Sequence, residues 1–410
     1  MDTYDVVIIG GGAAGLFAGA VAGARGKKVL ILEKNEVVGK KLRITGGGRC
    51  NICNAQFDRR ALASEYGAHA PFLHTPFSIF DAQSTFDYFQ TRGLELKTED
   101  NNRAFPVTDS AESVCKLLID ECKRYDVKIR THAKVVGLKT VGSSVEQIVL
   151  ENGIVHGKKI ILSTGGMSHP ETGSTGDGFT WLTNLKHTVT RSVPTLVPIR
   201  IREQWVKDAQ GITLPHARIT IRQNEKSVAT KVGKLLFTHF GVSGPAVINL
   251  SPAVADALQS GPVALELDLY PALTREALDL KLQDLFKLHM NKRIKNGLTD
   301  LIPTQLAEAM ISLACIDPLK EIHQISREER LQLVATLKGA RMTVDKLLGT
   351  DKAIITSGGV DLREVDMKTM RSKLYSNLFL IGDILDIERP SGGFSLQLCW
   401  TTGYIAGINV

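Results

Sequence analysis

An apolar run, Val6-Val7-Ile8-Ile9, passes directly into Gly10-Gly11-Gly12-Ala13-Ala14-Gly15, and a second run, Val29 to Leu32, ends on Glu33. No other feature constrains the chain as tightly. Buried strand, glycine turn, a helix of small residues over about 13–25 and a second strand make a βαβ unit of about thirty residues. Gly10 permits the tight turn, Gly12 lets the backbone approach a pyrophosphate, and Gly15 lets helix lie close on strand. The phosphates then meet the positive end of the helix, whose first turn holds Ala13 and Ala14. Glu33 stands eighteen residues past Gly15, placed to accept from ribose hydroxyls. An acid there suits an unphosphorylated ribose, as in FAD or NAD.

The rest of the chain favours FAD. Gly382-Asp383 closes a late apolar strand, Leu378 to Ile381, where a carboxylate can bind a ribityl chain. Lys158 to Gly166 is a further strand and turn, ending Thr164-Gly165-Gly166. Both resemble segments of two-dinucleotide-binding-domain flavoproteins, in the expected order. Texture divides what lies between. Short alternating segments at 195–202, 217–223, 227–230 and 263–269 indicate a β-rich, barrel-like insert. Residues 273–338 are helical in pattern, with capping signals at Thr274 and Ser326. The expected architecture is α/β: a discontinuous FAD-binding Rossmann-like domain (1–192 and 353–410), a β-rich insert (193–272 and 339–352) and a helical subdomain (273–338).

The length, 410 residues, fits two or three domains rather than one core. No apolar run approaches the ~18 residues of a membrane span, and the start lacks an export signal, so a cytoplasmic location is expected. Six scattered cysteines form no disulfide framework, and the lone pair Cys50/Cys53 lacks the second half of a zinc site. No metal is expected. A net charge of +7 permits anionic ligands, but the basic residues are dispersed, without a stripe or aromatic interleaving, which argues against a nucleic-acid partner.

A second block is Gly39-Lys40-Lys41-Leu42-Arg43-Ile44-Thr45-Gly46-Gly47-Gly48-Arg49-Cys50-Asn51. Its three consecutive glycines put N–H groups where side chains would obstruct a planar ring or a phosphate. This block resembles the HI0933-like (YhiN/BaiN) flavoprotein family. So do Thr164 to Pro170, Gly173 to Gly178, Leu236 to Pro245, Thr356 to Val360 and the closing Gly382 to Asp386 with Gly392 to Gln397. The resemblance runs from residue 5 to the C-terminus and implies an NAD(P)/FAD-dependent oxidoreductase of three-part architecture. Relatives act on dissimilar substrates, including steroid-like enones and small aminoketones. Three positions depart from the family: Cys53 where Thr or Ser is usual, Asp383 for a common Glu, and Ser395 for a frequent Asn.

Motif and resemblance together place cofactor contacts at Gly10, Gly12, Ala13, Ala14, Gly15, Glu33 and Lys34. Further contacts fall at Lys40, Lys41, Thr45, Gly46, Gly48, Arg49, Cys50 and Asn51, and at Val135. Thr164, Gly165, Gly166, Gly382 and Asp383 follow, then Gly393, Phe394, Ser395 and Leu396, whose N–H groups open a helix and can stabilise charge on reduced flavin. Catalytic residues are not settled by the motifs. His169 and His239 lie in family-matching loops, and Cys50 beside Cys53 raises the idea of a redox disulfide.

The expected function is two-electron transfer between FAD and a small organic substrate. NAD(P)H, bound transiently, or O2 would be the second partner, since no second nucleotide fold is present. A small amine or aminoketone oxidase producing hydrogen peroxide is one alternative. A flavin disulfide reductase is another. A non-enzymatic, flavin-binding regulatory or RNA-associated protein is the alternative from a different class. Oligomeric state is not legible.

Overall fold

The structure, a computed structural model, describes residues 3–190, 193–348 and 355–410. The chain forms two compact units, Met1–Pro194 with Ala353–Val410, and Thr195–Lys352. The expected boundaries at 192 and at 352–353 fall outside the described residues.

A seven-stranded sheet organises the first unit. Its five parallel strands run Leu378–Leu380, Gly157–Leu162, Tyr4–Ile9, Val29–Leu32 and Lys128–Arg130, and Val365–Asp366 with Arg371–Ser372 form an antiparallel edge. Val6 to Ile8 and Val29 to Leu32 are almost wholly buried, which is why both strands read as continuous apolar runs rather than alternating ones. The first helix, Ala13–Ala24, packs on the last, Phe394–Asn409. Glycine makes the approach close. A Cβ on Gly403 would lie 2.9 Å from the Ala14 carbonyl oxygen, and one on Gly407 2.7 Å from Val21 Cβ. Trp400 anchors the last helix further, donating from Nε1 to the Ile52 carbonyl at 2.8 Å. Both ends of the chain thus share one core.

Residues 59–90 form three helices that the sequence reading does not anticipate, Arg59–Ser64, Ala70–Ile79 and Ala82–Gln90. Asp58 and Asp81 cap two of them, accepting from the N–H groups of Ala61 and Ser84. Beside them, Cys53–Asn54, Arg103–Pro106 and Leu96–Glu99 pair as a small antiparallel sheet.

The second unit is a closed barrel in the order Ile199–Ile201, Gly241–Ser243, Lys226–Thr238, Thr213–Gln223, Ala264–Asp268 and Ala340–Leu347. The segment read as 227–230 belongs to a longer strand, because its partner Thr213–Gln223 stays paired with it as far as Leu236. Helices Arg275–Leu288, Thr304–Leu313 and Arg327–Gly339 follow. Thr274 and the Ser326/Glu329 capping box start the first and last of these. Leu333 and Leu337 share a core with Leu265 and Leu267 of the barrel wall. An α/β Rossmann-type fold with a barrel-like insert and a helical part is what the chain adopts.

Candidate flavin site

The glycine turn is built to exclude side chains on one side and leave space on the other. Gly10 is at φ +107, where a Cβ would meet the Ser163 carbonyl oxygen at 2.5 Å, and a Cβ on Gly15 would lie 2.0 Å from the Gly10 oxygen. On Gly12 it would meet nothing within 4 Å. The first N–H groups of the helix, at Ala13 and Ala14, therefore border open space, as an anion site requires.

Glu33 is buried at the end of its strand. Its Oε2 accepts from the Gly11 N–H at 2.9 Å, and Oε1 accepts from the Asn35 N–H at 2.9 Å and Asn35 Nδ2 at 2.8 Å. A carboxylate has about four acceptor positions, so these three bonds leave one for a ribose hydroxyl. The side chain therefore does two jobs: it fixes the glycine turn and presents an acceptor. Ala133 donates to the Glu33 carbonyl at 2.8 Å, which leads the chain past the site to the buried Val135.

In the second glycine block Gly46, Gly47 and Gly48 are all left-handed, at φ 59, 69 and 85. A Cβ on Gly47 or Gly48 would meet nothing within 4 Å, so it is the left-handed backbone that favours glycine there, and one face stays open. Thr45 holds the turn, donating from Oγ1 to the Leu42 carbonyl at 2.6 Å and accepting the Cys50 N–H at its own carbonyl at 2.9 Å. Asn51, with its amide oriented to satisfy its neighbours, donates to the Ala104 and Cys53 carbonyls and accepts from the Gly393 N–H at 3.0 Å. A Cβ on Gly393 would lie 2.2 Å from the Cys53 carbonyl carbon. The N–H groups of Phe394, Ser395 and Leu396 are thereby brought beside the glycine block.

Gly382 lies against the first helix, 3.1 Å from Ala14 Cβ at its would-be Cβ, and donates to Thr402 Oγ1 at 3.0 Å. Next to it Asp383 sits between two cations, the guanidinium of Arg389 and Lys41 Nζ at 3.4 Å. Lys41 also donates to Ser168 Oγ at 2.6 Å. Burial alone would push the Asp383 carboxyl up, yet Arg389 and Lys41 hold it below the ordinary 3.8. The sign follows from that depression. The stabilisation is complete above the unfolded value and is lost as pH falls through the folded one, so the cluster stays ionised at neutral pH.

Other basic residues are committed elsewhere. Lys34 pairs with Asp177 at 2.8 Å and Thr175 at 2.6 Å, Arg49 joins Glu99 and Asp109 over the Phe105 ring, and Lys40 is exposed. Thr164 Oγ1 is buried without a partner, beside the left-handed Gly165 and the buried Gly166. An orphaned hydroxyl, open glycine faces and a spare acceptor on Glu33 fit an elongated ligand with phosphate, polyol and planar parts. Sequence reasoning missed Arg389, Asn35 and Ser168. Arg389 stands between two predicted contacts, Asp383 and Ser395, six residues from each.

His169 is held by Glu171 at 2.9 Å in the first unit. His239 is exposed in a hairpin turn of the second, edge-on to Phe240 at 4.9 Å. His239 has neither the burial nor the carboxylate partner that marks a proton donor, whereas His169 has the carboxylate. Cys50 and Cys53 are both buried free thiols. Burial pushes the Cys50 thiol up to about 12 and raises Cys53 as well. Attack on a disulfide needs a thiolate. Cys53→Ser should therefore leave reductive titration unchanged: parent and variant each take up two electrons per FAD from dithionite under anaerobic conditions. Four electrons in the parent and two in the variant would restore the disulfide reading. Among the described residues no cluster of three or more His, Cys, Asp or Glu could hold a metal, and no helix is long and apolar enough to cross a membrane.

A parallel sheet with a glycine turn, a buried acid at the end of the second strand and a returning C-terminal carboxylate has the features of a dinucleotide-binding flavoprotein. Residues 4–409 match the HI0933-like protein Rossmann domain family, and the chain belongs to that family. Among its relatives, the 3-dehydro-bile acid delta(4,6)-reductase of Clostridium scindens is 30% identical, over 98% of this chain and 97% of the relative. The ribosomal RNA dihydrouridine synthase of Escherichia coli is 28% identical, with 98% and 97% covered. In fold the chain is similar to the 3-ketosteroid delta1-dehydrogenase of Sterolibacterium denitrificans, with a TM-score of 0.56 at 14% identity, covering 100% and 99%. It is also similar to the 3-ketosteroid-delta4-(5alpha)-dehydrogenase of Rhodococcus jostii, with a TM-score of 0.55 at 14% identity, covering 99% and 96%. The protein is an FAD-dependent oxidoreductase.

Proposed function

We propose that this enzyme reduces a carbon–carbon double bond conjugated to a carbonyl group in a small organic substrate, taking electrons from NAD(P)H. One observation carries the reading. Relatives matched nearly end to end are named for putting hydrogens across such bonds, one in a 3-oxo steroid acid, the other in a uracil ring. FAD, when bound, supplies the hydride chemistry. The chain's own residues bind and orient. The N–H groups at Ala13 and Ala14 would take the pyrophosphate, Glu33 the ribose, and Asp383 the ribityl chain. The N–H groups of the first turn at Phe394 to Leu396 would stabilise negative charge on the flavin. The buried thiols stay protonated and contribute no redox step. We place this domain at 1–192 and 353–410, in the cytoplasm.

A second substrate class has one observation behind it. Lys226, Lys231 and Lys234 are exposed on one barrel strand and carry no ion pair among the described residues, which suits a phosphate backbone. The test is anaerobic. Protein reduced by NADH or NADPH is mixed with cyclic enones, with ribosomal RNA, or with oxygen, and flavin reoxidation is followed. Fast reoxidation by an enone supports the first reading, and by RNA the second. Reoxidation by oxygen alone, with amines as reductants, favours an oxidase and overturns both.

A further inference from the structure

The glycine-rich motif Gly173 to Gly178 contributes none of the cofactor contacts placed by the sequence. It lies in a loop between the strand Gly157–Leu162 and the helix Asp177–Asn184. The loop is braced by its own hydrogen bonds. The His169 carbonyl accepts from the Thr172 N–H at 2.9 Å and from Thr172 Oγ1 at 2.7 Å. The Pro170 carbonyl accepts from the Gly173 N–H at 3.0 Å, and the Gly173 carbonyl from the Thr175 N–H at 3.1 Å.

Two residues fasten this loop to the end of the strand Val29–Leu32, and both follow Glu33 directly. Lys34 Nζ donates to Thr175 Oγ1 at 2.6 Å and to Asp177 Oδ2 at 2.8 Å. Burial raises the Asp177 carboxyl, but Lys34 and Thr175 outweigh it and hold it below the ordinary 3.8. Asn35 makes the second link. The two hydrogens on its Nδ2 go to Glu33 Oε1 at 2.8 Å and to the Thr172 carbonyl at 3.0 Å. Both partners can only accept, which fixes the orientation of the amide. One amide therefore joins the candidate ribose acid to the loop. The approach is close: Gly173 is left-handed at φ +105, and a Cβ there would lie 2.6 Å from Asn35 Nδ2. The side chains of Lys34 and Asp177 stay 24% and 37% exposed, so this fastening lies near the surface and can open without unfolding the core.

We infer that Lys34, Asn35 and Asp177 clasp residues 169–178 as a strap beside the adenosine half of FAD, and that the strap makes the protein prefer FAD to FMN. The inference rests on the ribose placement at Glu33 given above. Its physical basis is preorganisation. A carboxylate with one spare acceptor position holds a hydroxyl well only when it is kept from swinging away. Asn35 keeps it there, because Glu33 can turn only by breaking with the amide or by dragging the loop. Lys34 and Asp177 hold the loop, and the loop holds Asn35. All three are positioning residues that act through Glu33. FMN, which has no adenosine half, makes no use of them.

The test uses the full chain reloaded with FAD or with FMN, and follows flavin release on dilution by the return of free-flavin fluorescence. The parent should release FMN at least roughly tenfold faster than FAD, the contribution of one hydrogen bond to a charged group. Asn35→Ala should release FAD about tenfold faster than the parent, and Asp177→Asn about threefold faster, as suits a partly exposed ion pair. FMN release should stay parent-like in both variants. If Asn35→Ala does not fold, Asp177→Asn decides on its own. Parent-like FAD release in either variant that holds flavin would overturn the inference. Equal acceleration for FAD and FMN would overturn it too, since that marks a general loosening of the domain. Failure of the ribose placement is seen separately, as equal release of FAD and FMN by the parent.

Discussion

Glu33→Ala should weaken FAD binding by roughly a hundredfold, the upper end of what one charged hydrogen bond supplies. A hydrogen bond to an ionised group contributes about 1.5–3 kcal/mol, or ten- to hundredfold in affinity. The structure places the effect at the high end because Glu33 also fixes its surroundings. Without the carboxylate, the Gly11 N–H loses its acceptor in a buried setting, the Asn35 N–H loses its own in a half-buried one, and Asn35 Nδ2 keeps only the Thr172 carbonyl. The glycine turn is then free to depart from the shape that greets the pyrophosphate. Glu33→Gln separates the two contributions. Its single carbonyl oxygen can serve Gly11 or Asn35 but not both, and its amide opposes whichever donor remains. Roughly tenfold weaker binding is expected for this variant. The measurement is the dissociation constant of FAD on apoprotein, by quenching of flavin fluorescence. Parent-like retention of FAD by Glu33→Ala would remove the ribose assignment.

This double duty shows where the sequence was informative. A motif reports the backbone conformation it requires. Gly10, Gly15, Gly46 to Gly48 and Gly393 were legible because left-handed angles or approaches of 2.0–2.8 Å strongly favour glycine. The buried strands were legible because burial on both faces erases alternation. Long charged side chains were not. Lys34, Lys41 and Arg49 are equally basic in sequence, yet only Lys41 joins the cluster at Asp383, while the others turn to Asp177 and to Glu99 with Asp109. Their choice depends on acids 50 to 342 residues away, which spacing along the chain does not reveal. Arg389 escaped for a related reason. In sequence, Glu388-Arg389-Pro390 looks like an exposed loop, and only the fold shows the guanidinium turned inward. The helices at 59–90 were missed because their apolar faces are short and Pro76 interrupts the second one.

A chain ending at residue 352 should neither hold FAD nor keep a native first unit. The reasoning starts from the sheet. Leu378–Leu380 pairs in parallel with Gly157–Leu162, so its removal leaves a central strand with an unpaired edge. It continues through the helices. Gly403 and Gly407 let the last helix lie against Ala14, Ala18 and Val21, and removing it uncovers the face of the first helix that carries the glycine turn. Trp400 and Phe17, with ring centres 5.3 Å apart, lose their contact at the same time. Tyr66 loses the Phe394 carbonyl to which it donates at 2.9 Å, and the buried Thr85 loses Gln397 at 3.0 Å. Each loss alone costs on the order of 1–3 kcal/mol, and together they are comparable with the roughly 5–15 kcal/mol by which a whole domain is stable. The barrel, Thr195–Lys352, keeps its own core and is expected to stay folded in the truncated chain. Limited proteolysis should therefore leave a fragment of about the barrel's length, colourless, while the full chain stays yellow and largely uncut. A truncated protein that purifies yellow and compact would show that residues 1–194 hold the flavin alone, and the discontinuous domain would have to be abandoned.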